Sequence, residues 1–146
     1  MKGKRRLSRV VSIVGVVIVG LATMGPGQAA DMPTGSAIAV PISPDGIQRA
    51  TVLLDSYSYS PNYVIVEHGK PVELTLTSVT VITPHNFIIK DLTDSLSVEQ
   101  DVGAGQTVMA RFVPTRPGLF SFFCDKRLWP MRSHRDKGME GMLEVK

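Results

Sequence analysis

The feature that most constrains the fold of this chain is a series of short apolar segments separated by glycine and proline turns. In residues 72–77, Val72, Leu74 and Leu76 alternate with polar residues, and residues 108–112 repeat this period of two. Such alternation is typical of half-buried β-strands, and no segment shows a long helical period. The pattern predicts an all-β fold, a Greek-key β-sandwich of about seven to eight strands.

Strands are predicted wherever β-branched and aromatic residues cluster between turn signals. The predicted strands cover residues 48–59, 63–67, 72–77, 86–90, 95–101, 108–112, 119–124 and 142–146, with one further short strand at 38–42. Between the last two of these strands lies the longest irregular segment of the domain, residues 125–138. We therefore expect this segment to be a loop at one end of the sandwich.

The N-terminus has the three parts of a secretory signal peptide. Basic residues extend to Arg9, residues 10–24 are apolar, and small residues end at Ala29 and Ala30. The apolar run is shorter than the ~20 residues of a spanning helix, but an uncleaved membrane anchor is the alternative. We expect a signal peptide at 1–30, a proline-rich arm at 31–46 and one domain at 47–146. The location would be periplasmic or otherwise extracytoplasmic, with membrane contact only if the signal segment is retained.

The excess positive charge of the chain lies in the predicted signal peptide. The chain has 16 Lys and Arg and 13 Asp and Glu, and five of the basic residues but none of the acidic ones lie before position 30. Residues 31–146 therefore carry a net charge of −2, so the basic isoelectric point is no argument for nucleic-acid binding. We expect a monomer. With a single cysteine, Cys124, the chain cannot form an intrachain disulfide.

Three residues near the C-terminus form a set of soft metal ligands. Cys124 is followed by His134 and Met139, which offers a thiolate, an imidazole and a thioether. Soft sulfur ligands favour copper(I), and imidazole suits copper in both oxidation states. The alternative is that Cys124 is an inert, buried thiol at the end of a phenylalanine-rich strand.

A copper site of this kind needs a second imidazole from elsewhere in the fold. His85 precedes an apolar strand, whereas His68 lies in a turn and is interpreted as a solvated residue. A histidine at the start of a strand is often only structural. Together with Cys124, His134 and Met139, however, His85 completes the two-histidine, one-cysteine and weak axial methionine set of a blue copper site.

The same residues resemble the motifs of the cupredoxins, the group of plastocyanin and azurin. Residues 84–86 read PHN, residues 118–124 read GLFSFFC, and residues 134–141 read HRDKGMEG. The resemblance covers about residues 47–146. It implies one copper ion that cycles between Cu(I) and Cu(II), held by His85, Cys124, His134 and Met139. It also implies that Asn86 ties the two ligand loops together by hydrogen bonding.

The chain departs from this family in the length of its ligand loop. Nine residues, 125–133, separate Cys124 from His134, whereas plastocyanin-like and azurin-like loops are shorter. The extra residues could fold outward and leave the site trigonal. They could also admit water, or supply Met131 or Asp125 as a further ligand.

The ligand loop is also rich in cationic side chains, which could be merely solvated or could dock a partner. An acidic redox protein would be steered by such a patch, and residues 129–131, Trp-Pro-Met, could form its apolar centre. We name residues 126–137 the basic loop. Its cations are Lys126, Arg127, Arg132, Arg135 and Lys137.

Several functions fit these residues. The first is an electron carrier that is not an enzyme. A copper-handling protein for delivery or sequestration is the second, although the chain lacks the methionine-rich tract expected of one. Catalysis at an open copper site and a metal-free binding module are further alternatives. The module would leave the association of His85, Cys124, His134 and Met139 unexplained, so the sequence favours the electron carrier.

Overall fold

The computed structural model describes residues 36–93 and 96–146. The predicted signal peptide and the first residues of the predicted arm lie outside the described residues. Within the described residues there are ten strands and one short 3₁₀ helix, Arg135–Lys137. The strands are β1 Ala37–Ala39, β2 Gln48–Asp55, β3 Ser58–Ser60, β4 Tyr63–Val66, β5 Val72–Ser78, β6 His85–Lys90, β7 Ser97–Val102, β8 Thr107–Phe112, β9 Gly118–Phe123 and β10 Glu140–Val145.

The strands form two sheets. One sheet has six strands in the order β1-β4-β10-β9-β6-β7, and the other has four in the order β3-β2-β5-β8. The pairs β1–β4, β4–β10 and β2–β5 are parallel, and the remaining pairs are antiparallel. The predicted all-β sandwich is therefore confirmed. No helix within the described ranges has the length and hydrophobicity of a membrane span.

The core lies between the sheets and follows the predicted alternation. Val72, Leu74 and Leu76 are fully buried, whereas the residues between them are only partly buried. Phe87 of β6 stacks on Phe122 of β9 with ring centroids 4.9 Å apart. Apolar burial of this kind contributes roughly 25 cal/mol per Å² and holds the sheets together without a disulfide.

Two segments differ from the sequence prediction by more than a shift of one or two residues at an end. The strand predicted over residues 48–59 is divided into β2 and β3 by a turn in which Tyr57 has a φ of +63°. A tyrosine in the left-handed region is uncommon, so the sequence gives no signal for this turn. The predicted strand at 38–42 is limited to Ala37–Ala39, and Ile42 forms only an isolated bridge to Gln48.

The register of three adjacent strands determines where the candidate ligands lie. β9 pairs with β6 and with β10, and Phe123 lies opposite both Ile88 and Glu140. Cys124 follows Phe123 directly, and its N–H donates to the carbonyl of Met139 at 3.1 Å. The start of β6, the end of β9 and the start of β10 consequently meet at one end of the sandwich.

Candidate metal centre

Three of the four predicted ligands meet at that end. One ligand atom each of His85, Cys124 and His134 lies within 4.8 Å of the others, and all three residues are buried. His85 begins β6, Cys124 follows β9, and His134 lies in the loop before the 3₁₀ helix. Residues that are distant in sequence thus converge as a compact nitrogen and sulfur donor set.

His85 is the clearest sign that the cluster suits a metal. The side chain is fully buried, and neither Nδ1 nor Nε2 has a hydrogen-bond partner. Buried polar atoms are nearly always paired by hydrogen bonds. An imidazole without such a partner, next to a thiol and a second imidazole, therefore fits the role of a metal ligand. Burial and the nearby His134 lower the pKa of His85 to about 4, which keeps its ring neutral at pH 7.

Cys124 lies on the inward side of its strand. Phe120 and Phe122 are buried, and the period of two continues to the fully buried Cys124. Its Sγ lies 3.4 Å from Nδ1 of His134 and accepts the backbone N–H of Asn86 at 3.4 Å. Burial raises the pKa of the thiol, so the metal-free protein holds it protonated.

The loop holds His134 through its backbone. The N–H of His134 donates to the carbonyl of Lys126 at 2.9 Å, and the N–H of Arg135 donates to the carbonyl of Cys124 at 2.8 Å. Burial, with a smaller effect of Lys137, lowers the pKa of His134. The imidazole is therefore placed as a neutral donor beside the thiol, with 6% of the residue exposed.

Asn86 connects the two ligand segments, as the family resemblance implied. Its Nδ2 donates to Oδ1 of Asp125 at 2.8 Å, and its Oδ1 accepts the N–H of Asp125 at 3.1 Å. The hydroxyl of Tyr59 donates to the carbonyl of Asn86 at 2.6 Å from within the core. These bonds fix the start of β6 against the residue that follows Cys124.

Met139 lies next to the cluster but is placed by different contacts. The residue is fully buried, and its N–H donates to the carbonyl of His134 at 2.9 Å. Its carbonyl accepts the N–H of Cys124. The backbone of Met139 is thus tied to two of the three residues of the cluster, His134 and Cys124, and its role as an axial ligand remains a prediction.

The extra residues of the ligand loop lie at the surface. Leu128 and Trp129 are 71% and 82% exposed, and Met131 is half exposed. The carboxylate of Asp125 is engaged with Asn86. His68 is exposed, as predicted, and its Nδ1 lies 2.9 Å from the carbonyl of Lys146.

Most cations of the basic loop have partners of their own. Lys126 pairs with Asp101 at 2.6 Å. The guanidinium of Arg135 lies 4.0 Å from the centre of the Phe123 ring, and Glu140 is its ion-pair partner at 3.4 Å. Arg127 and Arg132 are exposed and form no hydrogen bond or ion pair within the described part of the chain. Their guanidinium groups are therefore available to act on a partner.

Tyr57 is a site neighbour that the sequence did not reveal. Its ring meets the ring of His134 edge to face, with centroids 5.1 Å apart. Nζ of Lys137 lies 4.2 Å from the ring centre of Tyr57 and donates to its hydroxyl at 3.0 Å. The turn between β2 and β3 therefore packs against the ring of His134. Only the tertiary structure could show this contact.

A fold of this kind with a buried histidine, cysteine and histidine cluster defines a class of copper-binding β-sandwich proteins. The sequence model of the Cupredoxin-like domain matches residues 16–139, most of the chain. The chain belongs to the cupredoxin-like domain family. No curated protein matches the chain significantly.

Solved structures share this fold at low sequence identity. The metal-binding domain of the Cu(I)-exporting P-type ATPase CopA from Streptococcus pneumoniae has a TM-score of 0.55 and 18% identity, covering 77% of this chain and 97% of that domain. Reduced auracyanin from Roseiflexus castenholzii has a TM-score of 0.56 and 17% identity, covering 67% and 96%. The copper-containing nitrite reductase from Thermus scotoductus has a TM-score of 0.52 and 19% identity, covering 75% and 28%.

Proposed function

We propose that the protein is an exported mononuclear copper protein that carries electrons. The observation that carries this proposal is the fully buried His85, whose two ring nitrogens lack partners beside Cys124 and His134. A structural histidine would bond its neighbours or face water. A metal-free binding module leaves the orphaned ring unexplained.

The proposed ligands have separate roles. His85 and His134 supply neutral imidazole nitrogens, and the lowered pKa of each supports this because binding has no proton to displace from it at neutral pH. Cys124 supplies a thiolate and loses its proton on binding. Met139, buried and bonded through its backbone to His134 and Cys124, is the weak axial ligand.

A copper ion bound by this set would alternate between the cuprous and cupric states. The role of the protein is to hold the ligand atoms at positions that suit both oxidation states of copper. Asn86 and Asp125 hold the two segments together, and Tyr57 packs against the edge of His134. Phe120 and Phe122 exclude water on the core side of Cys124. Little rearrangement is then required when an electron moves.

Electrons would enter and leave through His134. His85 is fully buried, whereas His134 is slightly exposed within the basic loop. Arg127 and Arg132 would steer an acidic redox partner to this surface, and Trp129 would provide apolar contact. The predicted signal peptide supports a periplasmic location for this monomeric carrier, which acts on no substrate of its own.

The test is an absorption and EPR spectrum of the protein with one equivalent of Cu(II). We expect an intense visible thiolate-to-copper band and a small copper hyperfine splitting. Cys124→Ala should lose the band, and the exposed His68→Gln should keep it. A pale sample with ordinary hyperfine splitting would contradict the proposal, and so would a full band in Cys124→Ala.

Copper handling is the second candidate, and the position of Met131 favours it. This half-exposed thioether borders a surface cleft that His134 also lines. A soft ligand at such a mouth suits the exchange of Cu(I). If delivery is the function, Met131→Ile should slow anaerobic transfer of Cu(I) to a chelator, whereas Met109→Ile should not. Equal transfer by both variants would favour the electron carrier.

A further inference from the structure

A cleft beside His134 is not explained by copper binding. Its volume is about 410 Å³, within the range of small-molecule sites. The turn before β6 forms one wall, and the basic loop forms the other. Tyr57 and His134, which belongs to the basic loop, also line it, so the cleft opens directly beside the more exposed of the two histidines.

Several of the side chains that line the cleft are apolar. Ile82 and Leu128, which are 86% and 71% exposed, face it together with Pro84 and Met131. Exposed aliphatic side chains that gather around one concavity indicate a binding surface more often than isolated ones do. These residues come from both walls, so a ligand between them would bury apolar surface on two sides.

Cationic side chains also line the cleft. Lys126, Arg127 and Lys137 line it, and no carboxylate does so among the residues that the structure describes. Lys126 is already paired with Asp101. The charges that remain for a ligand are therefore those of Arg127 and Lys137.

Neither of these two charges is neutralised within the cleft. Lys137 donates to the hydroxyl of Tyr57 rather than to a carboxylate. Arg127 has only a weak electrostatic effect on a carboxylate. The pKa of the exposed Asp136 is lowered mainly by its hydrogen bonds with Ser133, and Arg127 adds least to this lowering. An anion in the cleft would thus meet a guanidinium and an ammonium beside an apolar wall.

We propose that this cleft binds a small organic monocarboxylate with an apolar or aromatic body. The carboxylate lies against Arg127 and Lys137, and the body lies between Ile82, Leu128 and Met131. An inorganic anion leaves the apolar wall uncovered, and a neutral aromatic molecule leaves the charges unmatched. The site uses no copper ligand as a donor, so binding does not require the metal.

The test is a titration of the full chain with benzoate, followed by NMR of labelled methionine methyl groups. The methyl signal of Met131 should shift, whereas that of Met109, on the surface of the other sheet, should not. A ligand of this size should bind with a dissociation constant on the order of 1 mM. Benzamide, a neutral molecule of the same shape, and acetate, an anion without the ring, should each bind more weakly.

Two matched variants distinguish a site from general surface charge. Arg127→Gln should weaken benzoate binding by about three- to tenfold, because a charge-assisted bond is lost. Arg132→Gln, which removes an exposed arginine of the same loop outside the cleft, should leave binding unchanged. Both measurements can be made on metal-free and on Cu(I)-loaded protein, so they do not depend on the copper proposal.

Three results would overturn the proposal. The first is an unshifted Met131 signal at benzoate concentrations of about 50 mM, far above the expected dissociation constant. The second is equal affinity for benzoate and benzamide. The third is equal weakening by Arg127→Gln and Arg132→Gln. After any of these, the cleft would be part of the surface that meets a protein partner.

Discussion

Asn86 and Asp125 are joined by two hydrogen bonds, one donated in each direction, across the gap between the start of β6 and the end of β9. Each residue directly follows a member of the histidine and cysteine cluster in the chain. The pair therefore sets the distance between the two segments that carry His85 and Cys124. Its effects should be visible in both stability and metal retention.

Replacing Asn86 by Ala should lower the free energy of unfolding by about 2 kcal/mol, because two hydrogen bonds at a buried residue are lost. The same variant should release copper faster, since the two ligand segments are no longer joined. Urea unfolding of the metal-free protein and loss of the visible band to a chelator measure the two effects. Gln100→Ala, on the neighbouring strand β7, is the control. An Asn86 variant that behaves like it would contradict this role.

The metal-free protein should become less stable as the pH falls from about 7.5 to 5. The pKa of His85 is about 4 in the folded state against about 6.5 when unfolded, so the unfolded chain binds more protons in this window. The loss from His85 is on the order of 2 kcal/mol, and His134 adds to it in the same direction. Denaturant midpoints at a series of pH values measure the effect.

A variant of His85 separates this effect from the titration of carboxylates. His85→Gln should flatten the fall in stability between about pH 7.5 and pH 5 relative to the unaltered protein. If His85→Gln and the unaltered protein lose the same free energy, the ring of His85 is not held neutral by burial.

Replacing Met139 by Leu should keep the visible band but raise the reduction potential, because a thioether donor to the cupric form is removed. The two side chains are similar in volume, so stability should change by less than about 1.5 kcal/mol. Voltammetry of the copper-loaded protein measures the potential. Met142→Leu, three residues along the chain, is the matched control. A potential unchanged in both variants would argue for another axial group.

Gly141→Ala should destabilise the protein by at least about 2 kcal/mol, because packing here leaves no room for a methyl group. A Cβ at this position would lie 2.3 Å from Phe122 Cζ and 2.5 Å from the carbonyl oxygen of Asn62. Gly138→Ala tests backbone strain alone, since φ is +97° there and no atom lies within 4 Å of the added Cβ. That variant should lose about 1 kcal/mol. Equal losses in thermal or urea unfolding would contradict the close packing at Gly141.

The exposed arginines should make electron exchange depend on the charge of the partner. Oxidation of the reduced protein by hexacyanoferrate(III), an anion, should slow as salt is added, because the attraction of Arg127 and Arg132 is screened. A double change of both residues to Gln should weaken this salt dependence. Stopped-flow rates at several ionic strengths measure it. Salt dependence that persists unchanged in the double variant would place the electron exit elsewhere.

The class of fold and the chemical types of the candidate ligands could be predicted from the order of residues along the chain. Alternation such as that of Val72, Leu74 and Leu76 indicates which side of a strand is buried. A local pattern is therefore enough to predict an all-β sandwich. Cys124, His134 and Met139 lie close together in one stretch of the chain, so a local pattern is enough to find them. His85 could be joined to them only by choosing between the two remaining histidines, His68 and His85, and by the family resemblance, because ligands separated by a long interval carry no local signal.

The arrangement around these residues, in contrast, depends on the packing of the folded chain. β6 and β10 both pair with β9, which brings the starts of β6 and β10 beside Cys124. This arrangement follows from the strand order of the whole sheet. The contact of Tyr57 with His134, the turn that divides β2 from β3, and the cleft between Ile82 and Leu128 all join segments that are remote in sequence. Such contacts depend on how two sheets pack, and no period or motif along the chain encodes that packing.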